Sequence, residues 1–210
     1  MEVKRHFRFI RNWIIINNPI KQTYEKRTYK LTKLKTLLNP FYAAVRLFQK
    51  TFGHPAPDSP TPLEPQRALK RSVWTGEEIV EFLHASVGGN EAKFLELFDG
   101  LIKGLEAAKV KQLAEGEYTN KSAHEILTRQ GDAGVDMIYF VMGTFVEMGL
   151  DPTPLFNIVQ AANMGKLGPD GKPIIRESDG KIMKPENWER DFAPEPKLRK
   201  EVAIQMNKAV

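Results

Sequence analysis

Seventeen residues, from Asp132 to Met148, constrain the fold more than any other part of the chain. Val135, Met137, Ile138, Phe140, Val141, Met142, Phe145 and Val146 cover nearly the whole circumference of a helix drawn through them, and Gly149 stops it. A helix that is apolar all round predicts a central, buried position. Asp136 nevertheless sits inside this segment, one turn after Asp132. A lone carboxylate in such a setting is costly unless it is paired or holds a metal, which favours a functional role.

The remaining periodicity is also helical. Phe41, Val45 and Phe48 mark a helix from Leu38 to Thr51, and five prolines between 53 and 65 mark an extended connector. A second helix is predicted from about Gln66 to Val87, closed by Gly88-Gly89, and a third from about Glu91 to Leu113, which contains the weak helix formers Gly100 and Gly104. Ser122 begins a weaker helical stretch that leads past Gly131 into the apolar helix. Asp151 and Pro152 start another, with Leu155, Phe156, Ile158 and Val159 facing inward. Two turn sequences, Gly168-Pro-Asp-Gly171 and Ser178-Asp-Gly180, flank short segments that predict a small C-terminal β-hairpin. The fold class is therefore all-α with this hairpin and, from 193 to 210, a polar tail containing at most one short helix.

Charge and cysteine content narrow the function classes. Residues 1–37 carry a net charge of +8 and the rest −3, so the overall +5 belongs to a basic N-terminal extension. This extension reads either as a solvated arm or as a contact for phosphate backbones or a membrane surface. The body is mildly acidic and offers no evident aromatic-basic stacking surface, so nucleic-acid binding is expected only through the arm. With no cysteine, disulfides, thiolate metal sites and cysteine nucleophiles are excluded. The longest early apolar run, Trp13–Ile16, is too short to cross a membrane, which gives a cytoplasmic reading with no membrane partner.

Glu77, Glu78 and Glu81 can share one helical face, where their mutual repulsion would be relieved by a divalent cation. A capping box of Thr75 with Glu78, with acids favoured in a first turn, explains the same residues without a ligand. If the two acidic helices pack antiparallel, Glu77, Glu78, Glu81, Asp132 and Asp136 converge on the oxygen-rich shell that Mg²⁺ prefers.

The acidic triplet resembles the Glu-Glu-x-x-Glu motif of MazG-like nucleoside-triphosphate pyrophosphatases, and Asp136 resembles the aspartate of their downstream Glu-x-x-Asp motif. Phe48–Pro55, Tyr139 and Gly143, Ala162–Pro173 and Arg176–Trp188 are similar to the phosphoribosyl-ATP pyrophosphohydrolase-like branch in order and chemistry. The resemblance covers about residues 39–192 and places the enzyme domain at 38–192. It implies a four-helix core completed in a homodimer or higher homo-oligomer, and Mg²⁺, with Mn²⁺ as a substitute, held by Glu77, Glu78, Glu81 and Asp136. Glu78 or Glu81 would act as general base. Asn163 and Lys166 would meet the triphosphate, with Tyr139 in the pocket and Lys172, Arg176, Lys181 and Lys184 as a basic strip at its mouth. A solvated hairpin accounts equally for the outer cations, and a helix-end position for Lys166.

Two departures stand out. Ala133 occupies the position of the usual glutamate, so Asp132 must replace it or that ligand is missing, and the segment between the motifs holds the extra helix of about 91–113. The expected activity is Mg²⁺-dependent cleavage between the α- and β-phosphates of a nucleoside triphosphate, in the setting of nucleotide-pool house-cleaning. The alternative is a member of the same fold that binds nucleotides or a partner with weakened turnover.

Overall fold

The computed structural model describes residues 39–178 and 181–208; the basic extension expected over 1–37 lies outside the described residues. Seven helices are present among them: α1 (Pro40–Thr51), α2 (Pro65–Ser86), α3 (Glu91–Glu115), α4 (Ala123–Met148), α5 (Pro152–Met164), α6 (Trp188–Asp191) and α7 (Glu195–Lys208). The fold is all-α. It divides into two compact units, one comprising the chain up to Ala56 and from Leu150 onward, the other Pro57–Gly149.

In the first unit, local chemistry starts α1 and α5. The Asn39 side chain accepts from the Tyr42 N–H at 3.0 Å, and Pro40 supplies a helical φ to the first turn of α1. Asp151 and Pro152 do the same for α5, with Asp151 Oδ1 accepting from Thr153 N–H at 2.9 Å. The apolar stripe of α1 then packs on α5, with the Phe41 and Phe156 rings 4.2 Å apart between centroids. Gln160 of α5 donates to the Ala44 carbonyl at 3.1 Å. The polar tail is structured as the 14-residue α7, which packs on α5. Its Gln205 side chain clasps the backbone of Asp151, accepting from N–H at 2.8 Å and donating to C=O at 3.2 Å. Of the four α5 residues expected to face inward, Leu155, Phe156 and Ile158 are partly covered, whereas Val159 is exposed.

The predicted β-hairpin is corrected. Leu167 bridges Pro173 and Ile175 bridges Ile182, both antiparallel and both isolated, with no strand among the described residues. The chain returns on itself as expected, with Arg176 N–H donating to Lys181 C=O at 2.9 Å and Met183 N–H to Ile174 C=O at 2.8 Å. Pro173 has no N–H to donate, which removes one of the bonds a ladder would need.

In the second unit, α2 and α3 meet around a tight turn containing Gly88 and Gly89, both at positive φ, and Asn90 caps α3. The His84 ring stands edge-on to Phe94 at 5.3 Å. Gly100 and Gly104 do not interrupt α3. The two-part reading of 122–148 is corrected to one continuous helix, capped by Ser122 and ended by Gly149 in the left-handed conformation. Gln130 of α4 holds Leu63, ahead of α2, through two bonds of 2.9 Å, accepting from its N–H and donating to its C=O.

The expectation of a buried apolar helix is not met in one chain. Phe140 is 73% and Val146 79% exposed on α4, and Ile138 and Val141 are exposed as well. The three buried apolar residues among those described, Phe52, Ala162 and Trp188, all belong to the first unit. Among the described residues Phe140 and Val146 remain uncovered while Met142 and Phe145 are partly covered, so the burial that the α4 sequence signals is incomplete there.

Candidate active site

The carboxylates predicted to hold a cation all lie in the second unit. Glu77, Glu78 and Glu81 are exposed on the second half of α2, and Asp132 and Asp136 are exposed on α4. Among the described residues none of the five forms an ion pair or side-chain hydrogen bond. The capping-box reading of the triplet fails. Because α2 starts at Pro65, Thr75 is deep in the helix and its hydroxyl donates back to the Arg71 carbonyl at 3.1 Å.

Arg67, Lys70 and Arg71 occupy the first two turns of α2, and the three glutamates lie in its interior, five to nine residues before Ser86, where the helix dipole does not favour them. The same cations surround the Trp74 ring, 5.2–5.5 Å from its centroid. This corrects the reading that the body has no aromatic-basic surface; its signal was the spacing Arg67, Lys70, Arg71, Trp74.

Among the described residues, no three His, Asp or Glu side chains gather closely enough to hold a metal ion. The clasp between Gln130 and Leu63 explains the spread. At about 1.5 Å per residue, Glu77 and Glu81 lie about 18 and about 24 Å along α2 from Pro65, whereas Asp132 and Asp136 lie about 3 and about 9 Å along α4 from Gln130. The two acidic groups thus stand at different heights in one chain. In kind, an all-carboxylate donor set fits a hard divalent cation. Asp136 itself is exposed rather than enclosed in apolar surroundings, so the desolvation cost expected from its sequence context is not incurred by one chain. Tyr139 is 65% exposed beside Phe140, their rings edge-to-face at 6.5 Å.

Of the residues expected to meet phosphate, Asn163 and Lys166 lie in the first unit at the C-terminal end of α5. Lys166 Nζ donates to Asn163 Oδ1 at 2.8 Å. Its ammonium is held below the usual lysine range, first by burial and second by the positive charge of Lys184. Lys172 and Arg176 lie exposed on the return of the chain. What the sequence did not reveal is the frame behind them. Trp188 is buried, and its indole N–H donates to the Ala162 carbonyl at 2.8 Å. The Phe192 ring occupies the space beside Gly165, where a Cβ would lie 2.3 Å from it.

Similarity to known proteins agrees with this arrangement. The family model for phosphoribosyl-ATP pyrophosphohydrolase matches residues 45–163, more than half of the chain. A crystallised candidate NTP pyrophosphohydrolase from Exiguobacterium sp. 255-15 is 49% identical, covers 81% of this chain and 98% of its own, and superposes with a TM-score of 0.75. No curated protein matches. No single helix among the described residues is long and apolar enough to cross a membrane. The chain therefore belongs to the phosphoribosyl-ATP pyrophosphohydrolase family, within the MazG-like all-α pyrophosphatases, and is a hydrolase acting on phosphoric anhydrides.

Proposed function

We propose that this protein is a Mg²⁺-dependent nucleoside-triphosphate pyrophosphohydrolase that cleaves between the α- and β-phosphorus, yielding a nucleoside monophosphate and pyrophosphate. The observation that carries this reading is the triplet Glu77, Glu78 and Glu81, exposed on one stretch of α2 with no ion pair among the described residues, in a chain of this family. In this reading the triplet holds the cation with Asp136, and Asp132 stands where relatives carry the glutamate replaced by Ala133. A cation bound there would supply activation of water and neutralisation of charge on the leaving pyrophosphate. Glu78 or Glu81 would take the proton from the attacking water. Asn163 and Lys166 receive the phosphate chain, with Tyr139, Lys172 and Arg176 at its edges.

A homodimer or higher homo-oligomer belongs to the same proposal. The exposed apolar stripe of α4 supports it, because a second copy packed there would cover Phe140 and Val146 and could bring an acidic group from another chain to the triplet. A cytoplasmic house-cleaning role, in which aberrant triphosphates are removed from the nucleotide pool, follows from such an activity.

The test is release of pyrophosphate from canonical, deoxy and damaged triphosphates. Monophosphate and pyrophosphate are expected with Mg²⁺ or Mn²⁺, and loss of both with a chelator. A folded protein that releases neither from any triphosphate contradicts the proposal. A second reading, nucleotide binding with weakened turnover, is favoured by Ala133. It is distinguished by calorimetric binding of triphosphate without hydrolysis.

A further inference from the structure

The stretch from Lys184 to Phe192 is seated against the end of α5 by two contacts. The Trp188 indole, 5% exposed, is bonded to the carbonyl of Ala162, and the Phe192 ring fills the space that Gly165 leaves open. These contacts, at Ala162 and Gly165, flank Asn163 and immediately precede Lys166, so the same frame holds the backbone that leads through both. Lys184 is set by this frame as well. Its ammonium lies 3.7 Å from the centroid of the Trp188 ring and 2.9 Å from Glu189 Oε1.

Lys166 is half-buried, and no carboxylate among the described residues pairs with it. The second cause of its lowered pKa is the charge of Lys184. Lys184 lies over the Trp188 ring, which is itself bonded to Ala162 at the end of α5. A second ammonium is thus held on the frame that carries the partly desolvated Lys166, a juxtaposition of like charges that folding alone does not favour. An anion placed between them would convert the repulsion into two charge-assisted bonds. Lys184 is also free to turn toward such an anion, because its pair with Glu189 is solvent-exposed and therefore weak.

We propose that Lys184 is a second phosphate-binding cation, which with Lys166 and Asn163 receives the β- and γ-phosphates of the substrate, and that Glu189 holds it in reserve while the site is empty. This rests on the proposed triphosphate substrate. It adds a ligand that neither the spacing of the acids nor the Asn163–Lys166 pair requires.

Inorganic triphosphate is the probe, titrated calorimetrically into the full-length protein, with steady-state kinetics on a turned-over nucleoside triphosphate run in parallel. Lys184→Met is expected to weaken triphosphate binding by about tenfold and to raise KM similarly, while kcat stays within about twofold. Glu189→Gln, which frees the lysine, is expected to tighten binding, and Lys184→Arg to restore part of it. Removal of the neighbouring charge should also move the alkaline limb of the KM profile, set by Lys166, to higher pH, a shift that a merely structural lysine would not produce. Triphosphate binding that is undetectable in the wild type, or equal in wild type and Lys184→Met, overturns the proposal. If Lys184-dependent binding occurs without pyrophosphate release, the site stands and the proposed activity falls. If pyrophosphate is released and KM is indifferent to Lys184, the activity stands and the site falls.

Discussion

The unit built on α5 and the unit built on α4 treat their apolar residues in opposite ways. The first encloses Phe52, Ala162 and Trp188 and frames the backbone of Lys166 against that small core. The second leaves the apolar stripe of α4 exposed among the described residues, with the acidic residues spread along α2 and α4. The residues proposed to bind phosphate are thus framed within one chain, whereas those proposed to hold the cation are not gathered among the described residues. Under the proposed function, metal binding would depend on self-association and phosphate binding would not.

The largest expected effect separates catalysis from folding. Glu81→Gln is expected to lower the rate of pyrophosphate release by about 10²–10⁴-fold. Its unfolding midpoint should match the wild type, since Glu81 makes no ion pair among the described residues. Initial rates and thermal melts on the same sample check both.

Next come the two apolar environments themselves. Trp188→Ala, which empties a buried site and orphans the Ala162 carbonyl, should cost about 3–5 kcal/mol in urea unfolding, at any protein concentration. Phe140→Ser removes a ring that one chain leaves 73% exposed. Its effect should appear instead as weakened self-association, measured by sedimentation, with a stability loss that depends on protein concentration. If both variants behave alike with concentration, the contrast between the units fails.

How much of this was legible beforehand follows from the range of each interaction. The helix start at Pro152 was readable because Asp151 caps it within two residues, whereas the start at Pro40, capped by Asn39, was placed two residues early at Leu38 because only the apolar spacing was read there. The acidic triplet was readable because spacing on a helix is local. The exposure of α4 was not, since an apolar helix reports that it will be covered and not by what. Nor was the place of Trp188, whose partner lies 26 residues earlier in the chain. The hairpin was half-legible: the turn sequences fixed the reversal, but Pro173 could not complete a ladder.

A smaller effect sharpens the picture of the cationic half. Gly165→Ala would push a methyl group into the Phe192 ring and should cost about 1–3 kcal/mol, raising KM for the triphosphate as the backbone at Lys166 shifts. Smallest is the acid response of Asp191. Its carboxyl is lowered to about 2, chiefly by Arg190 and also by Asn187, so its stabilising contribution is complete above the ordinary carboxylate range and is lost as pH falls through about 2. Arg190→Gln should therefore lower stability slightly at neutral pH, the difference from wild type vanishing as pH falls through about 2, which flattens the acid limb.

A crystal soaked in Mn²⁺ and read by anomalous diffraction addresses the assembly of the acidic half most directly. The metal is expected to be coordinated by at least three of Glu77, Glu78, Glu81, Asp132 and Asp136, contributed by helices α2 and α4 of the assembled protein. A manganese peak elsewhere, or α2 and α4 carboxylates that share no ion in the assembled protein, would contradict it.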